Sequence, residues 1–443
     1  MWGKEKIYNF LEDLMKKVPF EKKELVLEIS SSELTRFANN IIHQNVSEEN
    51  LTLFVRVGEG KKKAVASISK IDEESINNLI STLKLLIQNQ PEMEELILPK
   101  PQVYQKVENR LFTPSPEKRA NIVKNIIRKG ELKGLNTYGA ISEVISELSI
   151  MNSNGLFAYG TLSYAHGKTM YISENSSGYQ ESTGKDLDSI DFEYLSEMAL
   201  KKCLDSKNPE DLEPGKYDVV LEPLAVAEIM EQLSYFGFSA KAVQEKRSFL
   251  SLYQGQRIFS PLIHIYDDGL DEKGIIIPFD FEGVSKKHVD LVKEGVPLSP
   301  VYDTATAIKD NRESTGHALP PTDSSFGPLP SNLFLVSGDK KLEDLISSTE
   351  RGILVTRFHY VNAFLDPIKV LATGMTRDGT FLIENGRILK PLKNLRFTQS
   401  FVEALGNVEA ISSESILLPF FAGFCSVPGL KIKEFNFTGV TEF

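Results

Sequence analysis

Residues 50–68 read NLTLFVRVGEGKKKAVASI, and the fold class follows from this stretch. Asn50 to Val57 and Lys63 to Ile68 read as two strands, short runs rich in apolar and β-branched residues. Gly58-Glu59-Gly60 joins them as a turn, because glycine reaches φ > 0 without steric cost. Upstream, Glu24 to Ser30 (ELVLEIS) alternates apolar and polar residues like a half-buried strand, and Lys4 to Lys17 sets Ile7, Phe10, Leu11 and Leu14 at helical spacing. Downstream, Asp72 is placed to cap a helix whose stripe is Ile76, Leu79, Ile80, Leu83, Leu86 and Ile87, with Pro91 as its stop. Residues 1–90 are therefore expected to form a unit of helices and antiparallel strands.

A proline-rich surface linker is expected over residues 91–114, and a second unit over 115–204. The second unit opens on Ser115-Pro116, an N-cap followed by proline in the first turn, with Ile122, Val123, Ile126 and Ile127 as its stripe. Strands are expected from Thr137 to Met151, Gly155 to His166 and Thr169 to Ser173, the first two joined by a hairpin at Asn152-Ser153-Asn154-Gly155. A helix carrying Leu195, Met198, Ala199 and Cys203 closes the unit. The order of elements repeats that of the first unit, which suggests a structural duplication. Residues 205–215 (DSKNPEDLEPG) read as a second linker. Residues 216–443 then read as a β-rich domain, barrel- or sandwich-like, after a short strand at Tyr217 to Leu221 and a helix begun by Pro223. Asp378-Gly379 and Asn385-Gly386 are expected to be hairpin turns. The segment from Asn311 to Pro330, long and rich in Ser, Thr, Gly and Pro, is expected to be a binding loop. The fold class is α+β.

Lys+Arg 50 against Asp+Glu 61 gives a net charge of −11, which argues against a protein that coats nucleic acid. Two cysteines far apart, Cys203 and Cys425, exclude a disulfide scaffold and a four-cysteine zinc site. No apolar run approaches the roughly 18 residues of a membrane span, and Met1 to Leu14 mixes charges into its apolar residues, unlike a signal peptide. A cytoplasmic protein is expected.

The residues show no local catalytic signature. His43, His166, His264, His288, His317 and His359 are scattered, with no pair at the i, i+4 spacing of a helical zinc motif. Nucleophile-elbow, Walker A and dinucleotide-binding patterns are absent. Cys203 and Cys425 sit in apolar settings that suit core packing, and Asp267-Asp268 beside Gly269 reads as a turn. Three segments stand out: Ser32 to Gln44 (SELTRFANNIIHQ), Phe279-Asp280-Phe281-Glu282-Gly283, and Ser314-Thr315-Gly316-His317. Polar residues so placed either satisfy loop backbone or line a cleft.

With Gly374-Met375-Thr376-Arg377-Asp378-Gly379 and Glu384-Asn385-Gly386, these segments make the chain resemble the TldD/PmbA family, whose older name is modulator of DNA gyrase. The resemblance runs from about Glu24 onward. It implies an α+β N-terminal half, a β-rich C-terminal half and one of two subunit types. TldD-like chains carry H-E-x-x-x-H on the helix of the C-terminal half and bind a catalytic zinc. TldE/PmbA-like chains lack it and pair with a TldD-like chain to make a peptidase acting on unfolded peptides. The corresponding window here is Met230-Glu231-Gln232-Leu233-Ser234-Tyr235, with Met230 and Tyr235 where the histidines would stand. Thioether and phenol do not replace two imidazoles on zinc, so no metal and no cofactor are expected in this chain. Cys425 lies near where TldD-like chains use a ligand cysteine.

The leading expectation is a zinc-free TldE/PmbA-like component that binds peptide and dimerises, with a TldD-like subunit or with itself. Whether the chain is itself an enzyme is left open. One alternative is a stand-alone peptidase with a site assembled from residues such as Asp280, Glu282, His317 and His359. Another is a non-enzymatic binding protein affecting gyrase. Residues expected to line a cleft are Glu231, Tyr235, Asp280, Glu282, His317, His359 and Cys425.

Overall fold

The computed structural model describes residues 1–105, 107 and 111–441. In the N-terminal half, α1 (Lys4–Lys17) is followed by β1 (Lys22–Ala38), β2 (Ile41–Glu59), β3 (Lys62–Ile68) and α2 (Glu73–Asn89). Then come α3 (Pro116–Glu131), β4 (Asn136–Asn152), β5 (Phe157–Ile172), β6 (Ser177–Gly184) and α4 (Phe192–Asp205). Helix, three strands, helix thus occurs twice, but the strands make one six-stranded sheet in the order β3-β2-β1-β4-β5-β6. The seam between the two units is the β1–β4 pairing, antiparallel from Glu24↔Asn152 to Phe37↔Gly139.

Alternation along β1 divides the environment of the sheet. Leu25, Leu27 and Ile29 join the core beneath α1 and α2, and Phe37, on the same face, joins the core beneath α3 and α4. Val26, with Phe54, Ile150 and Ala158, faces the other way and packs against Phe279 of the C-terminal half. Helix ends are satisfied by side chains. Ser75 N donates to Asp72 Oδ1 at 2.8 Å, Lys118 N donates to Ser115 Oγ at 3.2 Å, and Trp2 N and Gly3 N donate to the Glu147 carboxylate at 2.7 and 2.8 Å. Residues 91–105 contain no helix or strand and are tied to the β4–β5 turn, with Asn152 Nδ2 on Pro99 O and Asn154 Nδ2 on Leu98 O. The expected linker also includes residues 106 and 108–110, which lie outside the described residues.

The C-terminal half begins with β7 (Gly215–Leu221), α5 (Pro223–Gly237), α6 (Ala240–Gln244), α7 (Leu250–Tyr253), β8 (Ile265–Asp267), β9 (Val289–Lys293) and β10 (Val296–Pro297). It continues with α8 (Thr304–Lys309), β11 (Asn332–Leu335), α9 (Leu342–Ser347), β12 (Arg351–Asp366), β13 (Leu371–Glu384) and β14 (Arg387–Pro391). The last elements are β15 (Leu395–Ser400), α10 (Phe401–Gly406), β16 (Val408–Phe420) and β17 (Gly423–Val440). The path β7-β12-β13-β15-β17 closes on itself, because β17 also pairs with β7 through Leu430↔Leu221, Lys431↔Val220 and Ile432↔Val219. The barrel-like expectation is met by this ring, and closure leaves its strands without an open edge. Its core holds Phe358, Phe397, Phe435 and Phe437, with ring centroids 4.6 Å apart for Phe358–Phe397 and 5.7 Å for Phe358–Phe435.

One turn is placed differently from its sequence expectation. Asp378-Gly379 is not a hairpin turn but a bulge inside β13, lying between the pairs Arg357↔Arg377 and Val355↔Thr380. Positive φ at both residues, 57° and 133°, serves a bulge as well as a turn, so the dipeptide does not choose between them. Asn385-Gly386, φ 49° and 71°, is the true hairpin to β14.

Candidate functional site

Helix α5 leaves β7 at Pro223 and packs its stripe of Val226, Ile229, Met230 and Leu233 into the barrel core, each fully buried. The next side chains round the helix, Glu231, Gln232 and Tyr235, face a cavity of about 300 Å³. Its walls are aromatic. Tyr235 lies 5.8 Å from Phe326 and 6.4 Å from Phe421 between ring centroids, and Phe236 lies 5.0 Å from Phe364. Phe326, Phe364 and Phe421 are exposed, so the groove is open to solvent. The Asn311–Pro330 segment supplies Phe326 and Leu329 to this wall.

A second cavity of about 240 Å³ adjoins the first and shares Leu329, Phe421 and Ala422 with it. Asp280, His317, Lys286 and Ser331 line it. Asp280 is spent on backbone: Oδ1 accepts from Glu282 N and Val284 N, and Oδ2 from Ala318 N, at 2.8 to 3.0 Å. Burial and the neighbouring Glu282 nevertheless push its carboxyl up to about 7. His317 is sandwiched between Asp267 Oδ1, 2.8 Å from Nε2, and Thr315 Oγ1, 2.9 Å from Nδ1. Burial, then Lys286, holds its imidazole below the ordinary value. Asp267 Oδ2 accepts from Ser331 N and Asn332 N at 2.7 and 2.8 Å. The turn expected at Asp267-Asp268 thus begins only at Asp268, because Asp267 ends β8 inside a buried network.

The remaining expected residues lie elsewhere. Glu282 faces a third cavity of about 600 Å³, which shares Ala318 and Leu319 with the second, and there it pairs with Arg56 at 3.3 Å and accepts from Thr304 N at 3.0 Å. His359 stands on β12 against the Tyr360 ring, at 4.2 Å between centroids, and lines neither cavity beside α5. Cys425 is buried on β17, where burial and then Glu231 and Glu228 push its thiol up, a setting that disfavours a reactive thiolate. Asp280 and His317 therefore share one cavity, Glu231 and Tyr235 the adjoining one, while Glu282, His359 and Cys425 join neither. Lys286 and Ser331 carried no sequence signal, and Asp267 only that of a turn. Among the described residues, no group of three or more His, Cys, Asp or Glu side chains is arranged to hold a metal ion.

Glu228, one turn before Glu231, is pushed up to about 7 by burial and then by repulsion from Glu231. A carboxyl whose folded pKa is raised binds its proton more tightly folded than unfolded, so its contribution to stability falls as pH rises from about 4.3 towards 7. Glu228→Gln is expected to be near neutral at about pH 4. At about pH 8 it should stabilise by on the order of 1–3 kcal/mol, read from urea unfolding at the two values.

Residues 214–439, which carry α5 and, apart from Leu148, the lining of both cavities beside it, match the family described as PmbA/TldA metallopeptidase C-terminal domain, and residues 24–86 match PmbA/TldA metallopeptidase domain 1. The chain belongs to the PmbA/TldD family. An uncharacterised protein of Methanocaldococcus jannaschii is 28% identical over 207 residues, covering 46% of this chain and 49% of that one. The chain thus spans about half the length of that curated relative. The metalloprotease TldD homolog of Haemophilus influenzae is 21% identical over 452 residues, covering 95% and 91%. TldE from Thermococcus kodakarensis has the same fold, with a TM-score of 0.86 at 21% identity over 98% of this PmbA/TldD-family chain and 100% of that one. No helix among the described residues is long and apolar enough to cross a membrane.

Proposed function

We propose that the chain is the zinc-free, TldE-like member of a TldD/TldE-type metallopeptidase assembly, in which it binds unfolded peptide and dimerises. The observation that carries this reading is the state of α5. Met230 is sealed in the barrel core, leaving Glu231 and Tyr235 to face an aromatic groove. One carboxylate and a phenol do not fit Zn²⁺, which takes nitrogen, thiolate and carboxylate donors in sets of three or four. A groove walled by Tyr235, Phe326, Phe364 and Phe421 suits apolar side chains of an extended peptide. Main chain can also be held by strand addition, and beyond Leu53 the outer edge of β2, residues 41–52, has no β3 partner.

The test measures zinc in the purified chain and follows cleavage of a casein-like unfolded substrate, with and without a TldD-like chain bearing H-E-x-x-x-H. Expected are no stoichiometric zinc, no cleavage by the chain alone, and cleavage by the pair. One zinc per chain that disappears in Glu231→Gln would overturn the reading.

A further inference from the structure

The second cavity holds a lysine that the fold leaves without a counter-ion in contact. Lys286 is only 7% exposed, yet among the described residues it makes no ion pair, and the hydrogen-bond acceptor found for its Nζ is Ser331 Oγ. An ammonium carries three donors, so two remain to be used inside a cavity. Burying such donors without partners is costly, and an incoming acceptor removes that cost. The nearest carboxylates are already committed. Asp267 serves His317, Ser331 N and Asn332 N, while Asp280 serves three backbone N–H groups. Both act on Lys286 only through space, and burial outweighs them in setting its proton affinity below the ordinary value.

Ser331 is held in place rigidly. Its N–H is bound by Asp267, and its C=O accepts from Phe424 N at 3.0 Å. Gly423, φ 156°, allows that approach, since a Cβ there would lie 2.1 Å from Ser331 O. The rest of the cavity wall is largely apolar, with Ile277, Phe279 and Phe281, and it opens past Leu329 and Phe421 into the aromatic groove. Asp323 also lines the cavity but is partly exposed, where solvent screens it. The combined space therefore has an end bearing the Lys286 amine and the Ser331 hydroxyl, with the committed Asp280 carboxyl beside them, and an apolar body.

We propose that Lys286 and Ser331 bind the terminal carboxylate of a peptide whose last residue is apolar. The pocket would anchor a free chain end and set the register of the peptide along the groove. This inference rests on the reading of the groove as a peptide site.

The experiment uses the full chain and two probes, fluorescein-Ala-Gly-Ala-Gly-Phe as the free acid and as the C-terminal amide, followed by fluorescence anisotropy. The free acid is expected to bind about tenfold or more tightly than the amide, the scale of a charge-assisted hydrogen bond removed. Lys286→Met should abolish that preference by weakening the free acid to the level of the amide, and Ser331→Ala should reduce it. Thermal unfolding and circular dichroism establish that each variant is folded, and Ser331→Ala alone decides if Lys286→Met is not. Equal binding of acid and amide, or a preference that survives both substitutions, overturns the pocket and leaves the peptide groove standing. Failure of both probes to bind overturns pocket and groove together.

Discussion

Replacing Arg119 with methionine is expected to lower the unfolding free energy by about 3–5 kcal/mol, because it strands the buried Glu143 carboxylate and deprives the half-buried Glu33 of its partner. Arg119 is fully buried although it belongs to α3, and each end of its guanidinium has a partner. Nη1 donates to Glu143, Nη2 to Glu33 Oε2 at 3.1 Å, and Nε to Thr35 Oγ1 at 3.1 Å. Glu33 and Glu143 face one another across the β1–β4 seam, so the arginine clamps the helix to the join between the two N-terminal units. Glu143 is itself buried and would retain only Ser115 N as donor. The measurement is the midpoint of urea unfolding at fixed slope. Combining the change with Glu143→Gln should recover part of the loss, since the stranded charge is then gone; a double variant no better than the single would refute this account.

Asp267→Ala is expected to destabilise by about 3–9 kcal/mol, from three donors left without an acceptor at roughly 1–3 kcal/mol each. The donors are Ser331 N, Asn332 N and His317, all buried. Asp267→Asn keeps one acceptor oxygen and should lose clearly less. Burial alone would raise the Asp267 carboxyl, but His317 and Lys286 hold it below the usual range. A depressed acid stabilises above its unfolded pKa of about 3.9, and that contribution is lost as pH falls through the folded value. His317, whose folded pKa is also depressed, stabilises above about 6.5 and loses that contribution below it. Between about pH 7 and pH 4 the contribution is the histidine's, and removing Asp267, which raises the imidazole, deepens its depression; the penalty for acidification over this window should therefore grow in Asp267→Ala, which differential scanning calorimetry can read.

Legibility in the sequence followed the range of the interactions. Helix α1 has the bounds its spacing implies, and the caps at Asp72 and Ser115 are present, because such signals lie within one or two turns. The helix begun by Pro223 is present for the same reason. What escaped was held together across long separations. The β1–β4 seam joins two units that each read as self-contained, and ring closure pairs residues 215–221 with residues 430–437. In the site, Asp280 and His317 lie in segments that drew notice through their own polar patterning. Lys286 and Ser331 meet across 45 residues, and Arg56 meets Glu282 across 226, with nothing local to mark either pair. Asp378-Gly379 shows the other failure, in which a dipeptide is equally suited to two conformations and only the pairing of β12 with β13 decides between them.

The place of β17 in the ring governs how the molecule can be made. It hydrogen-bonds to β7, β11, β15 and β16, yet it follows all of them along the chain. A ribosome releases β7 some two hundred residues before the strand that completes it, at roughly 5–20 residues per second. Throughout that interval the nascent polypeptide presents unpaired strand backbone and the phenylalanines destined for the interior, surfaces that invite association with other unfinished chains. Synthesis of β17 is therefore the step that makes the C-terminal half safe, and a chain stalled before it would be a ready client for chaperones and proteases.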